Sequence, residues 1–157
     1  MAQAIGALIG SATFTELGAG VGCYAAVVES SGAKVIAAVD GAENIYELTG
    51  GAVARWDLSR PMEATADWVL SLEVAEHIPR LFEAEFVGNA VRNARCGLIL
   101  SWGLPAQRRG SGHVNGRHTT DGSHNSKDRD LPLPQTVSTR PTRAYKTPWL
   151  RKPASFP

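Results

Sequence analysis

Thr13-Phe14-Thr15-Glu16-Leu17-Gly18-Ala19-Gly20-Val21-Gly22 is the stretch on which the fold turns. Thr13 to Leu17 is short, rich in β-formers and runs straight into glycines, which predicts a strand ending in a sharp turn. Cys23 to Ser31 then reads as a helix, with Tyr24, Val27 and Val28 on one face and Gly32 as its stop. Glycines between a strand and a helix serve two purposes. They reach positive φ, and they let backbone N–H groups approach a ligand closely. The amides at the helix N-terminus add partial positive charge nearby.

Outward from this stretch the alternation continues. Lys34 to Val39 is a continuous apolar run, as expected of a strand covered on both faces. Ala42 to Leu48 predicts a short helix closed by Gly50-Gly51, Ala52 to Trp56 a weak third strand, and Trp68 to Leu72 a fourth. Pro79 to Ala94 is the clearest helix: Phe82, Phe86 and Ala90 recur every four residues, beside Val87, Val91 and Ala94. Pro79 suits a first helical turn, where its missing N–H would have no partner. Leu98 to Trp102 predicts a fifth strand. Strands alternating with helices imply an α/β fold, a doubly wound parallel sheet with helices on both faces.

The chain divides by charge. Residues 1–105 hold six Lys/Arg against twelve Asp/Glu, and residues 106–157 hold ten against three, so the net charge of +1 conceals an acidic body and a basic tail. At 43% hydrophobic residues the composition is that of a globular protein. Residues 1–117 are expected to form the domain. Residues 118–157, dense in Pro, Ser and Thr and without a periodic apolar face, are expected to be a disordered tail. Cys23 and Cys96 have no metal-ligand spacing and are expected to be small buried apolar residues. His113, His118 and His124 are spaced too loosely for a metal site, so no metal is expected. No Lys or Arg precedes the apolar start, and no stretch reaches the length of a membrane span. The expected compartment is therefore the cytoplasm, with no membrane partner.

Two nucleotide-binding patterns compete for the glycine loop. Gly20-x-Gly22-x-x-Ala25 fits the dinucleotide fingerprint formally. Glu16 favours the other: E-x-G-x-G-x-G resembles the first motif of class I S-adenosylmethionine-dependent methyltransferases. In that family the acidic residue orients the loop or reaches the methionine end of the cofactor, whose sulfonium and amino groups are cationic. A carboxylate has less reason to stand beside a pyrophosphate. Asp40 closes the second strand and could accept ribose hydroxyl protons, a contact that both cofactors offer, or it could cap the following helix. By resemblance, Asp57 would take the adenine amino group and Leu58 would pack against the base. As a plain sequence feature, Asp57 is a loop carboxylate.

Asp67-Trp68-Val69-Leu70-Ser71-Leu72-Glu73-Val74-Ala75-Glu76-His77-Ile78-Pro79 is the most specific match, resembling the fourth-strand motif of that family, and Gly97-Leu98-Ile99-Leu100-Ser101-Trp102 resembles the fifth. The resemblance covers residues 13–117, including a substrate-side loop around Gln107, His113 and Asn115. It implies a Rossmann-like sheet of order 3-2-1-4-5, with S-adenosyl-L-methionine held by Glu16, Gly18, Ala19, Gly20, Gly22, Asp40, Gly41, Asp57, Leu58 and Glu73. His77 and Glu76 are the candidates for catalysis. His77 carries an imidazole that could act as general base, or it could simply be a polar residue ahead of a helix. The absence of an Asn/Asp-Pro-Pro-Tyr/Phe sequence at the fourth strand argues against a nucleobase amine as acceptor, and the acceptor stays unidentified.

The family closes its sheet with an antiparallel pair of strands. No β-patterned run in Gly116 to Pro157 supplies it, so the final pair is expected to be missing. Three readings follow: an active methyltransferase, an inactive truncated relative that binds cofactor or a partner, and a methyltransferase-like body carrying a basic nucleic-acid-binding tail. An NAD(P)-binding Rossmann protein is the further alternative.

Overall fold

Phe14 and Leu17 lie on opposite faces of one strand, and both are completely buried. A strand covered on both sides requires a layer of helix on each. The computed structural model describes residues 1–103, 112–116 and 136–139. In it, Thr13–Leu17 (β1) pairs in parallel with Lys34–Asp40 (β2) on one side and with Ala66–Ser71 (β4) on the other. Ala54–Arg55 (β3) extends the sheet beyond β2, and Ala94–Leu100 (β5) extends it beyond β4, both parallel. The five parallel strands thus stand in the order 3-2-1-4-5, as the resemblance implied.

Side chains alternate between two cores. On one face Phe14, Ala38, Trp68, Leu70 and Ile99 pack with Ile5 and Ile9 of helix α1 (Ala2–Ile9) and with Ala25 and Val28 of α2 (Cys23–Ser30). On the other, Leu17, Val39 and Val69 meet Phe86 and Ala90 of α4 (Glu83–Asn93). Trp102 joins that second core edge-on to Phe86, with ring centroids 6.3 Å apart. The helix α1 had no sequence signal. Ala2–Ile9 is nearly uniformly small or apolar and shows no polar face to reveal a period.

Between β3 and β4 the chain has no regular structure, and two asparagines of α4 hold it. Asn89 accepts from the Met62 amide (3.0 Å) and donates to the carbonyls of Leu58 (3.2 Å) and Arg60 (2.8 Å). Asn93 accepts from the Ala64 amide (2.7 Å) and donates to the Met62 carbonyl (3.1 Å). These bonds satisfy buried and part-buried main-chain groups in a segment that has no strand partner. They also fix the loop that follows β3.

Several sequence expectations are corrected. The helix expected from Pro79 begins at Glu83, because Arg80–Phe82 forms a separate 3-10 turn. The short helix α3 spans only Ile45–Leu48. Both cysteines are exposed and free rather than buried. One short strand beyond Gly116 does join the sheet: Thr136–Thr139 (β6) pairs antiparallel with β5, Gly97 opposite Thr139 and Leu100 opposite Thr136, a single strand among the described residues rather than the antiparallel pair that closes the sheet in the family. Thr136-Val137-Ser138-Thr139 has one apolar residue and is too short to show alternation, so no pattern marked it. The open N–H and C=O groups along β5 are what a short β-branched run can pair with. The rest of the predicted tail lies outside the described residues, as do Gln107, His118 and His124. Among the described residues no helix is long and apolar enough to cross a membrane.

Candidate functional site

The chain leaves β1 toward β2 on one side, while β4 pairs on the other, so the carboxyl end of β1 is the switch point of the sheet. In open α/β sheets the crevice at that point is where ligands bind. The glycine loop occupies it. Gly18, Gly20 and Gly22 all have positive φ, at 76°, 54° and 82°. The Gly18 and Ala19 amides both donate to the Val39 carbonyl (2.8 and 2.9 Å), which ties the loop to the end of β2. A side chain at Gly18 would run into Val74, just past β4. At Gly20 the space a side chain would fill is open, with no atom within 4 Å. Gly22 is the N-cap position of α2.

Asp40, at the end of β2, holds this loop in place. Its Oδ2 accepts from the Gly20 amide (2.8 Å), and its Oδ1 accepts from the Ala42 amide (3.0 Å). It does not cap a helix, since α3 starts only at Ile45, with Asn44 at its N-cap position. Gly41 follows in an exposed turn. On the neighbouring strand Arg55 stands opposite Asp40, the Trp56 amide donates to the Asp40 carbonyl (2.8 Å), and Asp57 follows in the loop beyond. Asp57 accepts from the amide and hydroxyl of Ser59 (2.9 and 2.6 Å), and these bonds hold its carboxyl below the usual range. The structure does not bring Leu58 to the surface of the crevice: it is buried in the second core, beside Met62 and Phe86.

Glu16 lies under the loop and is 3% exposed. Burial pushes its carboxyl up to about 7, against the pull of the Ala25 amide and with a smaller push from Asp40. Its Oε2 has no hydrogen-bond partner among the described residues. The consequence for stability has a definite sign. The folded state holds the Glu16 proton more tightly than the unfolded chain does. Stability from this group is therefore fully present below pH 4.5 and is lost as pH rises through about 7. Between pH 5 and 8 that loss amounts to roughly 2–3 kcal/mol. In Glu16→Gln this share of the pH dependence should vanish, which urea denaturation of both chains at the two pH values will measure. An unchanged slope in the variant would contradict the assignment.

Past β4, Glu73 adopts a left-handed backbone (φ 55°), sparsely populated for any residue but glycine. The Ser101 hydroxyl holds it there, accepting from the Glu73 amide and donating to Oε1, both at 2.7 Å. Val74 then packs over Gly18. Glu76 is completely buried, whereas His77 is exposed, with Nδ1 3.2 Å from the Gly112 carbonyl. His113 stands edge-on to His77, with ring centroids 4.8 Å apart. Sequence reasoning placed His113 and Asn115 in a substrate-side loop but did not join them to Glu76. It missed Val74 and Ser101 altogether, since their roles depend on contacts between β1, β4 and β5.

No family model matches the sequence, and no curated protein matches it. Solved structures do. Magnesium protoporphyrin IX methyltransferase from Synechocystis PCC 6803 with bound S-adenosylhomocysteine superposes with a TM-score of 0.54 at 20% identity, over 66% of this chain and 55% of that one. The same enzyme with bound S-adenosylmethionine gives 0.52 at 21%, over 66% and 58%. TehB from Haemophilus influenzae gives 0.53 at 14%, over 67% and 41%. The chain thus spans about half the length of the structures it matches. The glycine loop at the switch point, the 3-2-1-4-5 sheet and these superpositions together show that the chain has the Rossmann-like fold of the class I S-adenosylmethionine-dependent methyltransferases.

Proposed function

We propose that this chain binds S-adenosylmethionine at the carboxyl ends of β1, β2 and β3 and transfers its methyl group to an acceptor. The observation that carries the reading is the arrangement around Gly20: an open approach over its backbone, the Asp40 carboxylate 2.8 Å from its amide, and the buried carboxyl of Glu16 beneath. S-adenosylmethionine supplies a methyl group already activated on a cationic sulfonium. The protein then has to align an attacking atom and exclude water. Glu16 fits the cationic end, because a neighbouring cation stabilises its ionised form and offsets the burial that otherwise disfavours it. Asp40 fits the ribose, since a carboxylate at the end of the second strand accepts from hydroxyls. Asp57 fits the adenine amino group from the adjacent strand end. Gly18, Ala19, Gly22 and Gly41 shape the backbone around them, and Glu73 closes the site from β4.

His77 and Glu76 stand past the end of β4, on the side where an acceptor would approach. His77, being exposed, is the residue able to take a proton from an acceptor hydroxyl or amine.

Asp40 carries the sharpest test. Replacing it with Ala leaves the ribose hydrogen bonds unmade and frees the Gly20 amide. Affinity for S-adenosylmethionine should fall by about 1–3 kcal/mol. Calorimetric titration of wild type and Asp40→Ala, each checked for a cooperative melt, measures it. Equal affinity in the two would remove Asp40 from the site.

A further inference from the structure

We propose that Glu76, His77 and His113 form a binding site for a divalent transition-metal ion. Glu76 is completely buried, and neither of its carboxylate oxygens has a hydrogen-bond partner among the described residues. None of the ion pairs among those residues involves it. A buried carboxylate with no partner is strongly disfavoured unless a cation or a proton neutralises it, and here two nitrogen donors stand beside it. Gly103 packs directly against it: a Cβ there would come within 2.9 Å of Glu76 Oε1.

The two histidines supply nitrogen donors at the same place. Nδ1 of His113 is buried and unpartnered among the described residues. In His77, Nδ1–H donating to the Gly112 carbonyl at 3.2 Å leaves the Nε2 lone pair free. Carbonyl bonds of this kind orient metal-ligating imidazoles. One ligand atom from each of the three residues lies within 4.8 Å of the others. An ion with bonds of about 2.0–2.1 Å holds its ligands roughly 3.4 Å apart, so the set closes by up to about 1.4 Å around it.

The position of His113 is built rather than incidental. The Val114 and Asn115 amides both donate to the Glu76 carbonyl (2.8 and 2.9 Å). The Asn115 side chain donates to Glu83 Oε2 (2.8 Å), and Trp102 Nε1 donates to the Asn115 carbonyl (2.5 Å). These four bonds clamp residues 112–116 onto the Glu76–His77 turn. Two imidazoles with one carboxylate suit zinc, manganese or ferrous iron better than magnesium or calcium, which take oxygen ligands. Three protein ligands leave a coordination position open. The site does not require methyl transfer, but a bound ion would occupy the His77 lone pair that proton transfer at that residue needs.

The test is calorimetric titration of the full chain with zinc chloride, with manganese and magnesium chloride in parallel, and metal analysis after dialysis. One zinc per chain is expected, bound more tightly than magnesium. Glu76→Gln and His77→Ala should each weaken zinc binding at least tenfold. His77 is exposed, so its variant folds even if the buried one does not. A His118→Ala/His124→Ala double variant should bind zinc as wild type does. No zinc uptake, or equal uptake by wild type and His77→Ala, or loss of binding only in the double variant, would overturn the site. S-adenosylmethionine titrated into the same samples reads the glycine-loop site separately.

Discussion

Gly18→Val should unfold or severely destabilise the protein, while Gly20→Val should leave the fold nearly intact. Both glycines have positive φ, so either substitution strains the backbone. They differ in what the new side chain meets. At Gly18 it runs into Val74, and neither β1 nor β4 can retreat within the sheet. Backbone strain and overpacking each cost about 1–3 kcal/mol, so the expected loss is roughly 3–5 kcal/mol. At Gly20 nothing lies within 4 Å, and the cost is the strain alone, about 1–2 kcal/mol. The Gly20 side chain would instead occupy the ligand's approach and abolish S-adenosylmethionine binding. Chemical denaturation and titration of the two variants separate these effects. Equal stability in both would mean that Val74 does not constrain the loop.

A chain ending at Arg117 should lose roughly 2–4 kcal/mol of stability and tend to aggregate. The residues removed include β6, whose four residue pairs cover the outer edge of β5. Each net hydrogen bond contributes about 1 kcal/mol. The uncovered edge presents Leu98, Ile99 and Leu100 with free N–H and C=O groups, a template for pairing between molecules. For a tail that packs nowhere the loss would instead stay within about 0.5 kcal/mol. Thermal melts and light scattering of the two chains decide. Coincident melts with no aggregation would show that β6 adds nothing to the sheet.

The central half of the fold was legible because its signals are local. Thr13–Leu17 was read to its end residues, and Lys34–Asp40 to within one, since a continuous β-rich run beside glycines needs no tertiary information. The sheet order came from the family that the glycine loop and the fourth-strand motif resemble, not from the spacing of the residues themselves. What was missed depends on contacts across the fold. Two-residue β3 is defined by its pairing with Val39 and Asp40 rather than by its own sequence. β6 exists through the edge it covers. The burial of Leu58 follows from the asparagines of α4 that hold its loop, and those lie some thirty residues on. The Glu76–His77–His113 cluster was invisible for the same reason, because histidine spacing alone cannot show what the 112–116 clamp brings together.

The most direct measurement is calorimetric titration of the wild-type chain with S-adenosylmethionine and, separately, with NADH. Both cofactors would use a glycine loop and a ribose-binding carboxylate, so only the Glu16 end distinguishes them. The expected result is saturable 1:1 binding of S-adenosylmethionine and none of NADH. Tight binding of NADH, or no binding of S-adenosylmethionine by a chain shown to be folded, would contradict the assignment of the crevice.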